Sequence, residues 1–360
     1  MNYIMLSDNQ VVSRHVCSWV VFLSGIVMLC GNAVSQGLAP CPPARCLTVT
    51  YRHLPPPNPA QQPASQPTPS PTAPPAPQLS PLPVPRFSPQ SGSVLYGTDI
   101  SLSVDKTTAV RTLEYSSDNG QTWTTGTSFP LLQQGTYLAR TREGDRTSET
   151  SAATLTYYFG RMFVLGNSIT VMSPVPVWGW QNNNGMAASS PDKDFAHILE
   201  RNLKAANPQV QMKLLSGGGF EREFWSFDYD KSLSEHLDGY APDLIIVRIG
   251  ENMSDDEVAK PEREFKARYR QLLDKLTQYS GHAKVICTTS FWDQSRASAM
   301  IREVAAERGY PVADLHTVLY NRPDRDSFRA VTEYADPGVG AHPNDRGMAE
   351  IARLILEKVW

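Results

Sequence analysis

The sequence has 360 residues, with 33 Lys or Arg against 36 Asp or Glu, so its formal net charge is -3. That balance, without a stripe of basic residues, gives no electrostatic reason to expect a nucleic-acid partner. The length exceeds that of one average domain and allows a sizeable core.

Residues 1–35 predict an export signal. A basic pair precedes an apolar run at residues 16–30, and small residues at 33–35 offer a cleavage site. The run is shorter than the roughly 20 residues needed to span a bilayer. A retained membrane anchor and a lipid attached at Cys30 are the alternatives. We therefore expect an exported bacterial protein that is periplasmic, on the cell surface or extracellular.

Residues 36–87 are rich in Pro, Gln, Ser, Thr and Ala. Such a segment buries too little apolar surface to fold, and proline keeps it extended, so we expect a disordered linker. Cys41 and Cys46 are the pair that could form a local disulfide. Cys287 lies in an apolar run and is expected to be a buried thiol. The cysteine spacing does not resemble a metal site.

Residues 88–158 alternate apolar and polar positions over short runs and show no helical period. This pattern predicts a small all-β domain, an immunoglobulin-like (Ig-like) sandwich. Strands are expected at residues 100–104, 112–115, 135–140 and 154–158. The segment Ser116–Trp123 resembles the Asp-box hairpin of sialidase propellers, in which Asp118 would bond turn backbone and Trp123 would pack. A propeller requires repeated copies and the sequence holds one, so we expect a single structural hairpin.

Residues 159–360 alternate apolar strands with helical patterns. Strands are expected at residues 162–165, 210–215, 243–249, 284–288 and 311–314. Helices are expected at residues 192–203, 265–279, 295–308 and 348–359. Repeated β–α units predict a mainly parallel sheet with helices on both faces. Because ligands bind beyond the carboxyl ends of such strands, the side chains found there are the functional candidates.

Four segments at strand ends or in loops carry candidate chemistry: Gly166–Thr170, Ser216–Gly219, Gly250–Asn252 and Gly340–Gly347. Ser168 is either a nucleophile or a turn residue. The glycine run either exposes N–H groups to an anionic oxygen or is a flexible turn. Asn252 can donate to an oxyanion. His342 lies in a Gly/Pro-rich loop at a helix start, and His316 is a weaker competitor.

These segments resemble the four blocks that name the SGNH/GDSL hydrolase superfamily. Gly166-Asn167-Ser168 is similar to its Gly-Asp-Ser block, and Gly250-Glu251-Asn252 to its Gly-x-Asn block. Residues 339–344 are similar to its Asp-x-x-His-Pro-Asn block. Asn167 replaces the usual Asp, which should be mild, and Val339 replaces the triad Asp, which is more serious. The resemblance implies a three-layer α/β/α, flavodoxin-like domain with a parallel sheet.

The resemblance also implies catalytic roles. Ser168 would attack an acyl carbonyl, and His342 would take its proton and return it to the leaving alcohol. The Ser168 N–H, a glycine N–H and the Asn252 amide would hold the oxyanion. Gly219 is favoured as that glycine, with Gly218 next. Asp336 is the candidate that would orient His342; Glu333 and a backbone carbonyl, which would leave a Ser–His dyad, are the alternatives.

The chemistry implied by the resemblance is ester hydrolysis without a cofactor or metal. Expected export, the sandwich and the loop tryptophans favour an acyl, particularly acetyl, ester on carbohydrate as substrate. Trp178, Trp180 and Glu251 are candidate substrate-binding residues, and ordinary packing is the alternative for the tryptophans. A transacylase that modifies surface glycans and a non-catalytic glycan-binding protein remain the other functional classes. The sequence does not predict the oligomeric state.

Overall fold

The structure is a computed structural model that describes residues 79–105 and 110–360. The expected export signal, most of the expected linker, and Cys41 and Cys46 lie outside the described residues. The described residues belong to one compact unit. Within those two ranges, no helix is both long enough and apolar enough to cross a membrane.

The first part of the described chain is built from two β-sheets. Its strands are β1 (Arg86–Ser88), β2 (Gly92–Leu95), β3 (Asp99–Ser103), β4 (Thr112–Ser116), β5 (Thr124–Thr125), β6 (Ser128–Pro130), β7 (Gly135–Glu143), β8 (Arg146–Thr147) and β9 (Ser151–Tyr158). One sheet has the order β1-β3-β6, and the other has the order β2-β9-β7-β4-β5 with β8 beside β7. The pairs are antiparallel except β2 with β9. The four predicted strands are confirmed as β3, β4, β7 and β9.

The hairpin Ser116–Trp123 has the expected Asp-box hydrogen bonds. The Asp118 carboxylate accepts from the Thr122 N–H at 2.9 Å and the Thr122 hydroxyl at 2.6 Å. These bonds lower the pKa of Asp118 to about 2. Gly120 takes a left-handed φ of +82°, and the Trp123 indole N–H donates to its carbonyl at 3.0 Å. The side chains of this segment therefore serve the turn itself.

The second part is a parallel sheet with helices. Its strands are β10 (Arg161–Gly166), β11 (Gln211–Ser216), β12 (Leu244–Val247), β13 (Lys284–Thr288) and β14 (Val312–Ala313). Its α-helices are α1 (Phe195–Ala206), α2 (Gly218–Glu223), α3 (Tyr229–Leu237), α4 (Asp255–Ala259), α5 (Phe265–Thr277), α6 (Ser295–Glu307), α7 (Pro337–Gly340) and α8 (Asp345–Val359). Short 3₁₀-helices span Pro176–Trp178, Pro191–Lys193, Pro261–Arg263 and Arg325–Phe328, and a π-helix spans His316–Tyr320. The sheet order is β11-β10-β12-β13-β14, and all of its pairs are parallel, which confirms the predicted sheet.

The side chains of β10 alternate between two apolar cores. Met162 and Val164 join the cluster that contains the buried residues of α1 and α8. Phe163 and Leu165 join the cluster that contains those of α3, α5 and α6. Helices therefore cover both faces of the sheet, which explains the near-continuous apolar runs of its central strands. Cys287 on β13 is a buried free thiol, as expected, and burial raises its pKa to about 12.

The two parts share one of these cores. Tyr157 and Phe159 pack in the same cluster as α1 and α8. The Lys284 ammonium donates to the Tyr157 hydroxyl at 3.0 Å and to the Val359 carbonyl at 2.7 Å. The β-sheets are thus packed and bonded onto the end of the α/β layer.

Candidate active site

Strand β10 ends in a tight turn that presents Ser168. A Cβ on Gly166 would lie 1.8 Å from the Thr170 hydroxyl, so this position excludes every other residue. The N–H groups of Thr170 and Val171 then close the turn on the Asn167 carbonyl. Ser168 is partly exposed between buried neighbours at the carboxyl end of the sheet. The turn reading and the nucleophile reading of this segment are therefore compatible.

Ser168 and His342 lie within hydrogen-bond distance of each other. The Ser168 Oγ is 2.7 Å from the His342 Nε2, and the His342 Nδ1 is 2.7 Å from the Gly338 carbonyl. Because a carbonyl only accepts, Nδ1 carries the hydrogen and the Nε2 lone pair faces the serine. Burial lowers the pKa of His342 to about 4, although the Gly338 carbonyl and the charge of Glu251 oppose that shift. The imidazole is therefore neutral near pH 7 and can accept a proton.

The structure does not bring Asp336 to the imidazole. The Asp336 Oδ1 accepts from the Val339 N–H at 3.0 Å and so caps the short helix α7. A helix cap needs its acceptor turned toward the first-turn N–H groups, and here that direction leaves the Gly338 carbonyl as the partner of His342. Glu333 is exposed. Of the three expected partners, the structure places the backbone carbonyl beside the histidine.

Two tryptophans hold the loop that carries His342. The Trp292 indole N–H donates to the Ala341 carbonyl at 3.0 Å, and its ring meets the imidazole edge-on at 5.1 Å. Trp180 is fully buried and packs in one cluster with Val339. The expectation that Trp180 binds substrate is therefore wrong for this structure, because its ring has no exposed face. The same cluster explains the apolar residue at 339, which is 1% exposed.

Asn252 and one glycine complete the edge of the site. Gly250 has φ +149°, a backbone region that favours glycine, and turns the chain so that Asn252 reaches the cavity. Gly218 is buried and lines the cavity beside Ser168. Gly219, the favoured candidate, is exposed, and a Cβ there would face Phe227 instead. The structure therefore offers Gly218 where the sequence favoured its neighbour.

A buried polar network lies directly beneath the site. Arg248 binds both oxygens of Glu251 at 2.8 and 2.9 Å, and the Phe291 N–H donates to the same carboxylate. Glu251 is 4% exposed and has no free oxygen for substrate, so the expectation that it binds substrate is wrong for this structure. Burial raises the pKa of Glu251, but Arg248 and the Phe291 N–H outweigh burial and hold that pKa below its usual value. Asn167 connects this pair to Glu221.

Sequence reasoning missed Glu221 and Arg248. Two signals could have found them: Arg248 is a charge inside the apolar run 243–249, and Glu221 follows the glycine segment. A charge in a buried strand requires a partner, and Glu251 stands three residues after Arg248. His316, the weaker histidine candidate, is buried in its π-helix and does not line the cavity.

The dyad opens into a cavity of about 670 Å³. Its polar lining includes Ser168, Arg222, Asn252 and His342. Its apolar lining consists of Val171, Met172, Trp178, Met186, Trp292, Pro337 and Val339. Trp178 is 44% exposed, unlike Trp180. Within the described residues, no group of three or more His, Cys, Asp or Glu side chains is placed to hold a metal ion.

Several solved structures are similar to part of this chain. A two-domain esterase (CEX) active on acetylated mannans, crystallised with mannopentaose, is 20% identical over 56% of this chain, with a TM-score of 0.39; the match covers 48% of that chain, about half its length. The acetyl xylan esterase AlAXEase is 18% identical over 56% of this chain and all of its own, with a TM-score of 0.36. A Corynascus thermopiles (Myceliophthora fergusii) carbohydrate esterase family 2 enzyme with a carbohydrate binding domain is 13% identical over 73% of this chain and 90% of its own, with a TM-score of 0.36. The comparison with curated proteins found no match.

The comparison with family models gave a direct assignment. Residues 164–350, more than half of the chain, match the GDSL-like Lipase/Acylhydrolase family. The matched range contains Ser168, Asn252 and His342. The chain therefore belongs to the GDSL-like lipase/acylhydrolase family.

Proposed function

We propose that this enzyme hydrolyses acyl, particularly acetyl, esters on carbohydrate through a Ser168–His342 dyad. The observation that carries the proposal is the 2.7 Å contact between the Ser168 Oγ and the His342 Nε2 at the mouth of the cavity. Nucleophilic catalysis by serine needs a base within that reach, in a protonation state that can accept the proton.

The proposed reaction has two halves. The Ser168 Oγ attacks the ester carbon while its proton moves to the His342 Nε2, and the imidazolium returns that proton to the departing alcohol. Water then attacks the acyl-serine and gives a proton to the His342 Nε2. The imidazolium passes that proton to the departing Ser168 Oγ, which releases the acid and restores free Ser168 and neutral His342. The Gly338 carbonyl keeps Nδ1 protonated throughout, but it supplies a dipole where a triad has a full negative charge.

The oxyanion would be held by three donors at the edge of the sheet: the N–H groups of Ser168 and Gly218 and the side-chain amide of Asn252. Gly218 and Asn252 both line the cavity, as Ser168 does. The Asn252 Nδ2 has two hydrogens, and Glu221 accepts one of them, which leaves the other for the substrate. Removing one such donor lowers kcat about 10²- to 10³-fold in related chemistry.

The lining of the cavity supports the proposal that the substrate carries a sugar. Trp178 lines the cavity and is 44% exposed, and Arg222 is a further lining residue. An aromatic face and a few fixed polar groups in an otherwise apolar pocket are the usual means of orienting an amphipathic ligand. We expect Trp178→Ala to raise KM for an acetylated oligosaccharide while leaving KM for p-nitrophenyl acetate within about twofold.

Hydrolysis of p-nitrophenyl acetate by wild type, Ser168→Ala and His342→Ala tests the proposal. We expect both variants to lose about 10³-fold or more in kcat, while His236→Ala, a histidine that does not line the cavity, retains wild-type activity. Acetylated polysaccharides, with and without an acceptor sugar, then separate hydrolysis from acyl transfer. Equal rates for wild type and Ser168→Ala would refute the esterase mechanism.

We further propose that the enzyme is exported and that residues 88–158 are an Ig-like sandwich attached to the hydrolase part at residues 159–360. The proposal of export rests on the apolar run at residues 16–30 and on the small residues that follow it. The sandwich proposal is supported by the two sheets of β1–β9. Cell fractionation, with N-terminal sequencing of the mature protein, tests the first proposal.

A further inference from the structure

Glu221 is a fully buried carboxylate in a short surface helix. It lies on α2 and is 0% exposed, whereas Arg222 and Glu223, the next two residues, are both exposed. Its side chain therefore points inward, toward the strand ends that carry the site. Burying a carboxylate costs several kcal/mol unless hydrogen bonds or charges compensate, so its placement requires an account.

The partners of Glu221 all donate to it. Oε1 accepts from the Gly250 N–H at 2.7 Å and from the Asn167 Nδ2 at 2.9 Å. Oε2 accepts from the Asn252 Nδ2 at 2.7 Å, and the Asn252 N–H lies 3.4 Å from Oε1. A protonated carboxyl would point its own hydrogen at one of these donors. The ionised form satisfies every contact.

The hydrogen bonds to Glu221 favour its ionised form, whereas its burial and the charge of Glu251 oppose that form. Burial and the nearby charge of Glu251 raise the pKa of Glu221 above its usual value, and the hydrogen bonds donated by Asn252, Gly250 and Asn167 offset only part of that rise. Arg248, the one cation in the network, bonds to Glu251. The charge of Glu221 is thus stabilised by hydrogen-bond donors and not by a cation. Three of its four contacts come from residues 250 and 252.

An acceptor-only partner decides which way the Asn252 amide faces. The two ends of an asparagine amide have nearly the same shape, and hydrogen bonding selects between them. Because Glu221 cannot donate, Asn252 must direct its NH₂ group at Oε2, and the second hydrogen of that group is then available to the cavity. A flipped amide would turn its oxygen toward the same region, where it would repel a substrate oxyanion.

We propose that Glu221 is a positioning residue that fixes the Asn252 amide, and the Gly250 turn before it, in the orientation that donates to the oxyanion. This inference rests on the proposed function, because it assigns Glu221 a part in that same site. Glu221 touches no substrate atom; it acts through Asn252.

A double-mutant cycle tests the proposal. In Glu221→Gln an NH₂ group replaces one acceptor, so it meets either the Asn252 amide or the Gly250 N–H as a second donor, and one of these contacts is lost. We expect kcat for p-nitrophenyl acetate to fall about 10- to 100-fold with KM within about threefold, because the oxyanion forms after binding. In the Asn252→Ala background, Glu221→Gln should lower kcat less than twofold further. Glu223→Gln, the exposed carboxylate on the same helix, is the matched control and should match wild type.

The outcomes of these experiments distinguish failure of this inference from failure of the proposed esterase function. Independent, multiplicative losses from Glu221→Gln and Asn252→Ala would show that Glu221 does not act through Asn252, and an unchanged kcat in Glu221→Gln would show that it does not position the site. Either result overturns the inference while Ser168→Ala still tests the esterase. A wild type no faster than Ser168→Ala overturns both.

A measurement on the wild-type protein covers the case in which Glu221→Gln does not fold. The side-chain amide of Asn252, assigned by its disappearance in Asn252→Ala, should show one downfield hydrogen that exchanges slowly with solvent, as expected for a bond to a buried carboxylate. Two equivalent, rapidly exchanging amide hydrogens would contradict the proposed contact.

Discussion

Asn167 occupies the position at which the family motif has an aspartate, and its neighbours account for the difference. Its Nδ2 donates to Glu221 at 2.9 Å and to Glu251 at 2.7 Å, so each amide hydrogen serves one carboxylate. Its Oδ1 accepts from Arg248 and from the Ile169 N–H, both at 3.1 Å. This buried site therefore requires an uncharged side chain that both donates and accepts hydrogen bonds. Replacing the motif's aspartate by asparagine at this position thus affects the surrounding residues.

We expect Asn167→Asp to lower the free energy of unfolding by about 3–5 kcal/mol, the usual cost of an uncompensated buried charge, because Arg248 already binds Glu251 and would have to serve a second carboxylate. The new carboxylate would face two others and lose both donated hydrogens. Such a group has a folded pKa above its unfolded value, so its penalty is present at neutral pH and shrinks as the pH falls toward about 4. Urea unfolding of wild type and variant at several pH values measures this difference.

The matched control for that prediction is Asn202→Asp. Asn202 is exposed on α1, where its amide donates to a backbone carbonyl. A new charge there meets solvent and should change stability by less than about 1 kcal/mol. Equal losses in the two variants would mean that the carboxylates near Asn167 do not repel a third one.

The lowered pKa of His342 predicts an unusual pH profile. In the proposed mechanism neutral imidazole is the proton acceptor, so activity should be lost as the pH falls through the folded pKa. Burial lowers that pKa to about 4, and kcat/KM reports groups of the free enzyme. We therefore expect the acid limb of kcat/KM to lie near pH 4, not near the usual histidine value of about 6.5. Acetate release from a neutral ester, with circular dichroism at each pH to verify folding, measures the limb; a midpoint above pH 6 would contradict the desolvated environment.

At the scale of elements, the four-residue helix α7 would orient His342 in the proposed mechanism, as a carboxylate does in a catalytic triad. Asp336 caps its start, and the Gly338 carbonyl leaves it toward the His342 Nδ1. The residue Val339, which stands where the motif has aspartate, faces the cluster of Trp180 instead. The dyad is therefore oriented by the geometry of a helix rather than by a second side chain.

We predict that Asp336→Asn keeps kcat for p-nitrophenyl acetate within about tenfold of wild type. Asparagine caps helices about as well as aspartate, so α7 and its carbonyl should stay in place. Asp336→Ala removes the cap and should lower stability by about 1 kcal/mol and activity by more than Asp336→Asn does. If Asp336 were a triad member, the asparagine variant would lose about 10⁴-fold in kcat, and steady-state kinetics would reveal that loss.

The long elements could be predicted from sequence, and the short ones that set the site could not. Helices α1, α5, α6 and α8 carry apolar periods long enough to recognise, and the parallel strands between them carry apolar runs. Helices α2 and α7 have six and four residues, too few for a period. Their starting residues decide whether Gly218 or Gly219 meets the cavity, and whether a carbonyl or a carboxylate meets His342. The candidates Ser168, Asn252 and His342 could be predicted from sequence because each lies just after a strand or just before a long helix.

At the scale of the whole molecule, the change in sequence pattern near residue 158 does not coincide with a break in packing. Only Phe159 and Gly160 separate β9 from β10. Phe159, together with Tyr157 near the end of β9, lies in the core that α1 and α8 also fill. The rings of Tyr157 and Phe159 are 5.4 Å apart, and both contact Trp360. Composition could mark where the sheets change type, but only the fold shows that the two parts share buried surface.

This shared core predicts coupled unfolding. Tyr157→Ala removes a ring that is 4% exposed and should cost about 3–5 kcal/mol, as buried aromatic truncations do. Because the ring serves both parts, hydrogen exchange in urea should show β7 and β12 losing protection at the same lowered denaturant concentration. Tyr157→Phe keeps the ring and removes only the hydroxyl that accepts from Lys284, so it should cost about 1 kcal/mol. If β7 lost protection while β12 kept its wild-type midpoint, the two parts would be independent folding units, and the shared cluster would contribute little to the stability of the layer that carries Ser168.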